Sequence, residues 1–298
     1  MADGLEDEDL PSFVTELGLP GLFDVHVHFM PPRIMQAVWS YFDSAGPLVG
    51  REWPIYYRGS EEQRLDRLRT MSVRHFSALS YAHKPGVATF MNDWNREFAG
   101  RVPESLWSGT FFPESGSGEY VGRLVDDGVQ VFKAHMQVGE YAADDPLLDG
   151  VWDVLNQSMT PVVMHVGSGP VPGKYTGPES VSRTLERFPD LTLIIAHLGA
   201  PEYHEFMDLA GRYPNVYLDT TMAFVDFWSR DHSAAVTPRL LDLQSKILLG
   251  TDFPNIPYQY AHQVEVLQRL NLGDDWMRDV LWNNSARLFG VEREQSIP

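Results

Sequence analysis

The feature that most constrains the fold of this chain is a fairly regular alternation of short apolar runs with helix-patterned segments, eight of each. The apolar runs read as strands at 22–28, 74–80, 107–112, 129–135, 161–166, 191–197, 215–220 and 246–251. Helical patterns follow from Ser60 (Leu65, Leu68 and Met71 share a face) and at 87–100, 119–127, 147–159, 179–188, 202–213 and 238–244, with a closing helix at 274–288. Strands separated by helical crossovers pair in parallel, and eight such units suit a closed barrel, which needs about 250 residues. The reading is therefore α/β, a single-domain (β/α)8 TIM barrel over 21–290, with no repeat, low-complexity tract or linker dividing it. The first 20 residues form an acidic tail and lead-in, and 291–298 form a second tail. Met1 to Leu10 carries Asp3, Glu6, Asp7, Glu8 and Asp9 with no basic residue, which predicts a solvated, mobile segment. Residues 29–59 are rich in Pro and aromatics and read as an insertion after strand 1, either covering a site or packing on another subunit.

Composition closes off several functions. Lys plus Arg number 23 against 41 Asp plus Glu, a net charge of −18, which works against non-specific binding to nucleic acid or an anionic membrane surface. With no cysteine, disulfides, thiolate metal sites and a Cys nucleophile are excluded, so any metal is held by nitrogen and oxygen. No run approaches the roughly 18 to 20 apolar residues that span a bilayer, and no basic segment followed by an apolar run opens the chain. A soluble cytoplasmic enzyme acting on a small molecule is the expectation.

In a (β/α)8 barrel the active site lies at the carboxyl ends of the strands. The first strand carries Asp24-Val25-His26-Val27-His28, and strict alternation would put Asp24, His26 and His28 on one face, with Asp24 one pleat deeper as a partner of the ligands. The fifth strand ends in His165, the sixth in His197, and the eighth in Asp252. One such residue is ordinarily a hydrogen-bonding group or a cap. Four histidines and an aspartate at one mouth supply imidazole and carboxylate ligands for a divalent metal with a position left open for water.

Those residues, with Leu249-Gly250-Thr251-Asp252-Phe253-Pro254 and the closing Trp282-Asn283-Asn284-Ser285-Ala286-Arg287-Leu288-Phe289-Gly290, resemble the amidohydrolase superfamily. More narrowly they are similar to its amidohydrolase-related branch, which includes aminocarboxymuconate-semialdehyde decarboxylase and related decarboxylases. The resemblance implies that His26, His28 and His165 bind one divalent metal, usually zinc, with manganese or iron as alternatives. Asp252 would be a further ligand and proton acceptor. His197 would contact bound water or substrate, or bind a second metal. A second metal would need Lys133, on the fourth strand with His135, as a carboxylated bridge; a lysine paired with a site carboxylate or with substrate is the preferred reading. The resemblance also implies a homodimer.

Two reactions suit such a site. In the first, water cleaves an amide, ester or lactone, with Asp252 moving the proton and His197 stabilising charge on the attacked oxygen. In the second, a small carboxylic acid, aromatic or not, loses carbon dioxide. The Phe132-Lys133-Ala134-His135 and Ser80-Tyr81-Ala82-His83-Lys84-Pro85-Gly86 stretches look closer to members described as hydrolases. A metal-binding barrel without turnover is a third reading, opposed by the complete ligand set. Lys133, His135, His83, Lys84 and Trp228 are the substrate-binding candidates, with Phe224 and Phe227 beside Trp228 as an apolar wall.

Overall fold

A computed structural model of the chain describes residues 4–227 and 233–291. Its strands are β1 (Leu22–Val27), β2 (Val73–Ala78), β3 (Ser105–Leu106), β4 (Ser108–Thr110), β5 (Val131–His135), β6 (Val162–His165), β7 (Leu193–Ile195), β8 (Val216–Asp219) and β9 (Ile247–Leu248). Every pairing is parallel, in the orders β1-β2-β3 and β4-β5-β6-β7-β8-β9. The two groups meet at Trp107, where one strand position is split into β3 and β4. On the far side the segment after β9 lies against β1. Val25 N–H donates to Leu249 O at 2.9 Å, Asp252 N–H to His26 O at 2.8 Å, and His28 N–H to Phe253 O at 2.7 Å. This is the (β/α)8 architecture that the alternation predicted.

The crossover helices follow from local chemistry. Helix Glu61–Thr70 starts at Ser60, whose hydroxyl accepts the Gln63 N–H while the Gln63 side chain accepts the Ser60 N–H. Acidic Glu61 and Glu62 sit at its start and Arg67 and Arg69 at its end, each offsetting the helix dipole. Leu65 and Leu68 face the core. Segment 274–288 is helical throughout, with Asp279–Asn283 wound as a π turn, and buries Trp276, Val280, Leu281 and Trp282.

Side chains sort into two layers. Phe23, Val25, Val131, Val163, Ile194 and Leu248 pack together with Trp282 inside the barrel. Leu22, Val27, Phe132, Met164, Ile195, Leu218 and Leu249 pack outward against the helices. Among the described residues no helix is long and apolar enough to cross a membrane.

The acidic N-terminal segment departs from expectation. Asp7–Asp9 and Leu10–Glu16 are helical turns, and Leu10, Val14 and Leu17 are buried. Asp7 is itself buried; its carboxylate accepts the Tyr57 hydroxyl and the Ala261 N–H (3.0 Å), and its own N–H reaches Gln259 Oε1. The prediction of a free, solvated tail fails because apolar residues at helical spacing follow the acidic run and one of its carboxylates has buried donors to satisfy. Residues 29–59 hold the helices Pro32–Ser44 and Gly46–Val49 and then cover the loop after β9. Trp53 Nε1–H donates to Asn255 O (2.7 Å), Trp39 Nε1–H to Asn255 Oδ1 (3.1 Å) and Tyr56 N–H to Ile256 O (2.9 Å).

Candidate metal centre

The centre is built on an irregularity in β1. Pairing with β2 shifts register between Asp24 and Val27, a bulge that breaks the strict alternation. Phe23 and Val25 consequently face the interior, and His26 and His28 also face it, one step out of phase. Asp24 is turned away from both imidazoles, contrary to the same-face expectation. Its carboxylate accepts the His26 backbone N–H (2.9 Å) and the Thr251 hydroxyl (2.6 Å), satisfying a donor beside the bulge.

The partners of each imidazole fix its tautomer. A carbonyl or carboxylate oxygen only accepts, so the ring nitrogen facing it carries the proton. His26 Nδ1–H donates to Asp219 Oδ2 (2.9 Å), His28 Nδ1–H to Leu79 O (3.0 Å), and His197 Nδ1–H to Thr221 O (3.1 Å). On His26 and His197 Nε2 is then the unprotonated nitrogen, whereas on His28 both ring nitrogens face an oxygen, Nε2 standing against Asp252. Asp252 Oδ1 lies 2.8 Å from His28 Nε2 and 3.7 Å from His26 Nε2. Two ligands of a tetrahedral zinc stand about 3.4 Å apart at usual bond lengths, a value these distances bracket. His26, His28 and Asp252 thus form the one group among the described residues whose donor atoms can share an ion. Gly250 makes the approach feasible, since a Cβ there would stand 2.3 Å from Thr221 Oγ1 and 2.9 Å from His26 Cβ.

Six rings close a circle around this point. His26 neighbours His28 (centroids 5.1 Å apart), His28 neighbours Tyr81 (5.9 Å), and Tyr81 neighbours His135 (5.0 Å). His135 stacks on His165 at 4.0 Å, His165 lies 4.7 Å from His197, and His197 returns to His26 at 5.3 Å. Lys133 is fully buried, with Nζ 3.0 Å from His26 Nε2. His165 stands in the circle but apart from the ligand group: its Nε2 points at Gly169 O (3.2 Å), leaving Nδ1 as its free lone pair. His83 and Lys84 are exposed, and Trp228 lies outside the described residues. Phe227 packs on Trp53 of the first loop, so the two loops meet.

Two residues near this circle were not foreseen from sequence. Asp219 ends β8 and holds His26; a strand-end carboxylate, Leu218-Asp219-Thr220, was its signal. Tyr81 follows β2 and was noticed only as part of a motif.

Burial and mutual contacts set the charges. Burial alone would raise the Asp252 carboxyl, but the hydrogen bond and charge of His28 outweigh it and hold the group well below the usual range. Asp219 is likewise opposed by burial and brought down to about 2 by its contact with His26 and by the His197 N–H. Burial lowers Lys133 to about 8, with Asp219 and Asp252 resisting the fall. Burial and the neighbouring Lys133 keep His26 neutral, down to about 3. Burial also lowers His135, His165 and His197. The set is two ionised carboxylates, an ammonium and imidazoles of which burial keeps His26, His135, His165 and His197 neutral, nitrogen and oxygen donors of the kind a divalent ion takes.

Fold and donor set define a barrel enzyme of the metal-dependent kind. A family model described as amidohydrolase matches residues 23–291, and the chain belongs to the amidohydrolase family. An uncharacterised TIM-barrel protein of Bordetella bronchiseptica superposes with a TM-score of 0.69 at 21% identity, over 90% of this chain and 99% of that one. The 5-carboxyvanillate decarboxylase of Sphingomonas paucimobilis gives 0.63 at 15% identity, over 92% and 100%. The 5-carboxyvanillate decarboxylase of Novosphingobium aromaticivorans, with bound manganese and a nitrobenzoic acid, gives 0.63 at 13% identity, over 92% and 99%. At these identities the likeness is one of fold. No curated protein matches the chain by sequence.

Proposed function

We propose that the chain is a metal-dependent hydrolase of a small-molecule amide, ester or lactone. The observation that carries this reading is the place of Asp252: its Oδ1 stands 2.8 Å from His28 Nε2 and 3.7 Å from His26 Nε2, among the atoms that would hold an ion, where a carboxylate can take a proton from water, whereas decarboxylation needs a proton donor for carbon. His26, His28 and Asp252 would hold one divalent ion, with His165 completing the set through a shift of its ring. Zinc is the first choice, and manganese or iron suits the same nitrogen and oxygen donors. Such an ion acidifies water and polarises a carbonyl. Asp252 takes the proton from the attacking water and returns it to the leaving group. Lys133 Nζ supplies the charge opposite the attacked oxygen, because His197, with its proton committed to Thr221 O, presents an acceptor there. Lys133 stays an ammonium, not a carboxylated bridge, in this reading, and homodimer assembly belongs to it.

The test is a panel of lactones, esters, amides and aromatic acids offered to protein loaded with zinc or manganese, with metal content measured alongside. Hydrolysis that falls by about a thousandfold or more in Asp252→Asn, with metal still bound, is the expected outcome. Full turnover in that variant would remove Asp252 from the chemistry. A second reading, loss of carbon dioxide from a carboxylic acid, draws support from the decarboxylases among the similar folds and from Lys133, an ammonium with its affinity lowered to about 8, as the acid. Carbon dioxide release without hydrolysis would select it.

A further inference from the structure

We propose that Asp219 is a positioning residue that locks His26 in the tautomer able to bind metal and, with the same carboxylate, anchors the turn that carries His197. The inference rests on the metal-centre reading but on no particular reaction. Asp219 is completely buried at the end of β8 and uses both oxygens. Oδ2 accepts the His26 Nδ1–H at 2.9 Å. Oδ1 accepts two backbone donors, His197 N–H at 2.9 Å and Thr221 N–H at 3.0 Å. His197 sits in the left-handed region (φ 58°, ψ 30°), unusual for a residue with a side chain, and the Oδ1 bond holds it there while its Nδ1–H closes back on Thr221 O. One side chain thereby aligns imidazoles from two different strands.

The two-against-one distribution of donors makes the role testable with a single isosteric change. In Asp219→Asn the amide has one oxygen and one NH2. Turning the oxygen toward His26 would leave two buried backbone N–H groups facing another donor. Keeping it on those two groups costs only the contact with His26, so the oxygen stays where Oδ1 is now. The NH2 then faces His26 Nδ1, which must accept. The imidazole proton moves to Nε2, where it turns toward Asp252 Oδ1 and the Lys133 ammonium, now 3.0 Å away, must swing aside, and the lone pair that would bind metal is lost. Asn thus keeps the backbone contacts of the fold while inverting the ligand.

Long-range proton–nitrogen NMR correlations on histidine-labelled, metal-free protein read the tautomer of His26 directly. The wild type should carry its proton on Nδ1 and Asp219→Asn on Nε2. Chelator competition with zinc and with manganese should show the variant binding about 10- to 100-fold more weakly. A wild-type His26 protonated on Nε2 would overturn the proposal whether or not the variant folds, and so would a folded Asp219→Asn with unchanged metal affinity. Neither readout involves turnover, so a protein that hydrolyses nothing would sink the proposed reaction and leave this role standing.

Discussion

Lys133→Met should make the metal-free protein more stable at neutral pH. Lys133 has no exposed surface, and burial brings its ammonium from an ordinary 10.5 down to about 8. At about 1.4 kcal/mol for each tenfold change in proton affinity, keeping that charge costs the folded state about 3 kcal/mol at pH 7. The sign follows from the order of the two values. Below pH 8 the amine is protonated in both folded and unfolded chains, so the cost is fully present. Between pH 8 and 10.5 the unfolded chain binds more proton, so wild-type stability rises with pH. Methionine has a similar length, needs no partner and fills the same channel, so the variant lacks both the cost and the pH dependence. Unfolding entropy for a chain this long is about 0.6 kcal/mol per degree, which converts the gain to a Tm increase of about 5 °C at pH 7. The gap should close by pH 10.5, and under the proposed hydrolysis turnover should fall with the loss of the charge opposite the attacked oxygen. Thermal and urea unfolding of metal-free wild type and variant at pH 7 and 10 reads both quantities. A variant less stable at pH 7, or a gap independent of pH, would refute the buried free ammonium. Loss of one of two bound metals on the same substitution would instead identify Lys133 as a carboxylated bridge.

Two further substitutions probe what holds the site. Gly250→Ala places a Cβ 2.3 Å from Thr221 Oγ1 and 3.0 Å from Asp219 Cγ, and should cost about 1–3 kcal/mol in urea unfolding together with weaker metal binding; unchanged metal affinity would mean the strand end can shift without moving His26. Asp7→Ala strands the Tyr57 hydroxyl and the Ala261 N–H, each a loss of about 1–3 kcal/mol when buried, and should expose the first turns to limited proteolysis; wild-type stability and cleavage would mean that the acidic segment is solvated after all.

The barrel was legible in the sequence because its strands are apolar runs bounded by polar ends, so pattern alone located each strand, with the third found in two short pieces at 105–110. His26, His28 and Asp252 were legible for the same reason: chemistry-bearing residues stood where such runs stop. The face occupied by Asp24 was not, since a bulge inserts one residue into the alternation and nothing in Asp24-Val25-His26 announces it. Asp219 escaped notice although it ends a strand like the others, because its value lies in donors contributed by His26, His197 and Thr221, which are distant in sequence or lie in a turn. The buried N-terminal turns are masked in the sequence by the density of acidic residues, while what buries them is the Leu10, Val14, Leu17 spacing behind that run.

The charges around the centre connect these pieces. Asp219 and Asp252 are ionised, the Lys133 ammonium touches His26, and burial keeps His26, His135, His165 and His197 neutral. The metal-free floor therefore carries a single net negative charge, and a divalent ion turns it to a single positive one. In the proposed metal-loaded state that balance would suit an anion, whether hydroxide or a substrate oxygen developing negative charge, and would give the ammonium at His26 Nε2 a use: it offsets a second carboxylate that would otherwise leave the loaded site neutral. Lys133→Met would give that neutral site, so its gain in stability and its loss of turnover arise from the same missing charge, the trade expected where a functional group is held against its solvation preference.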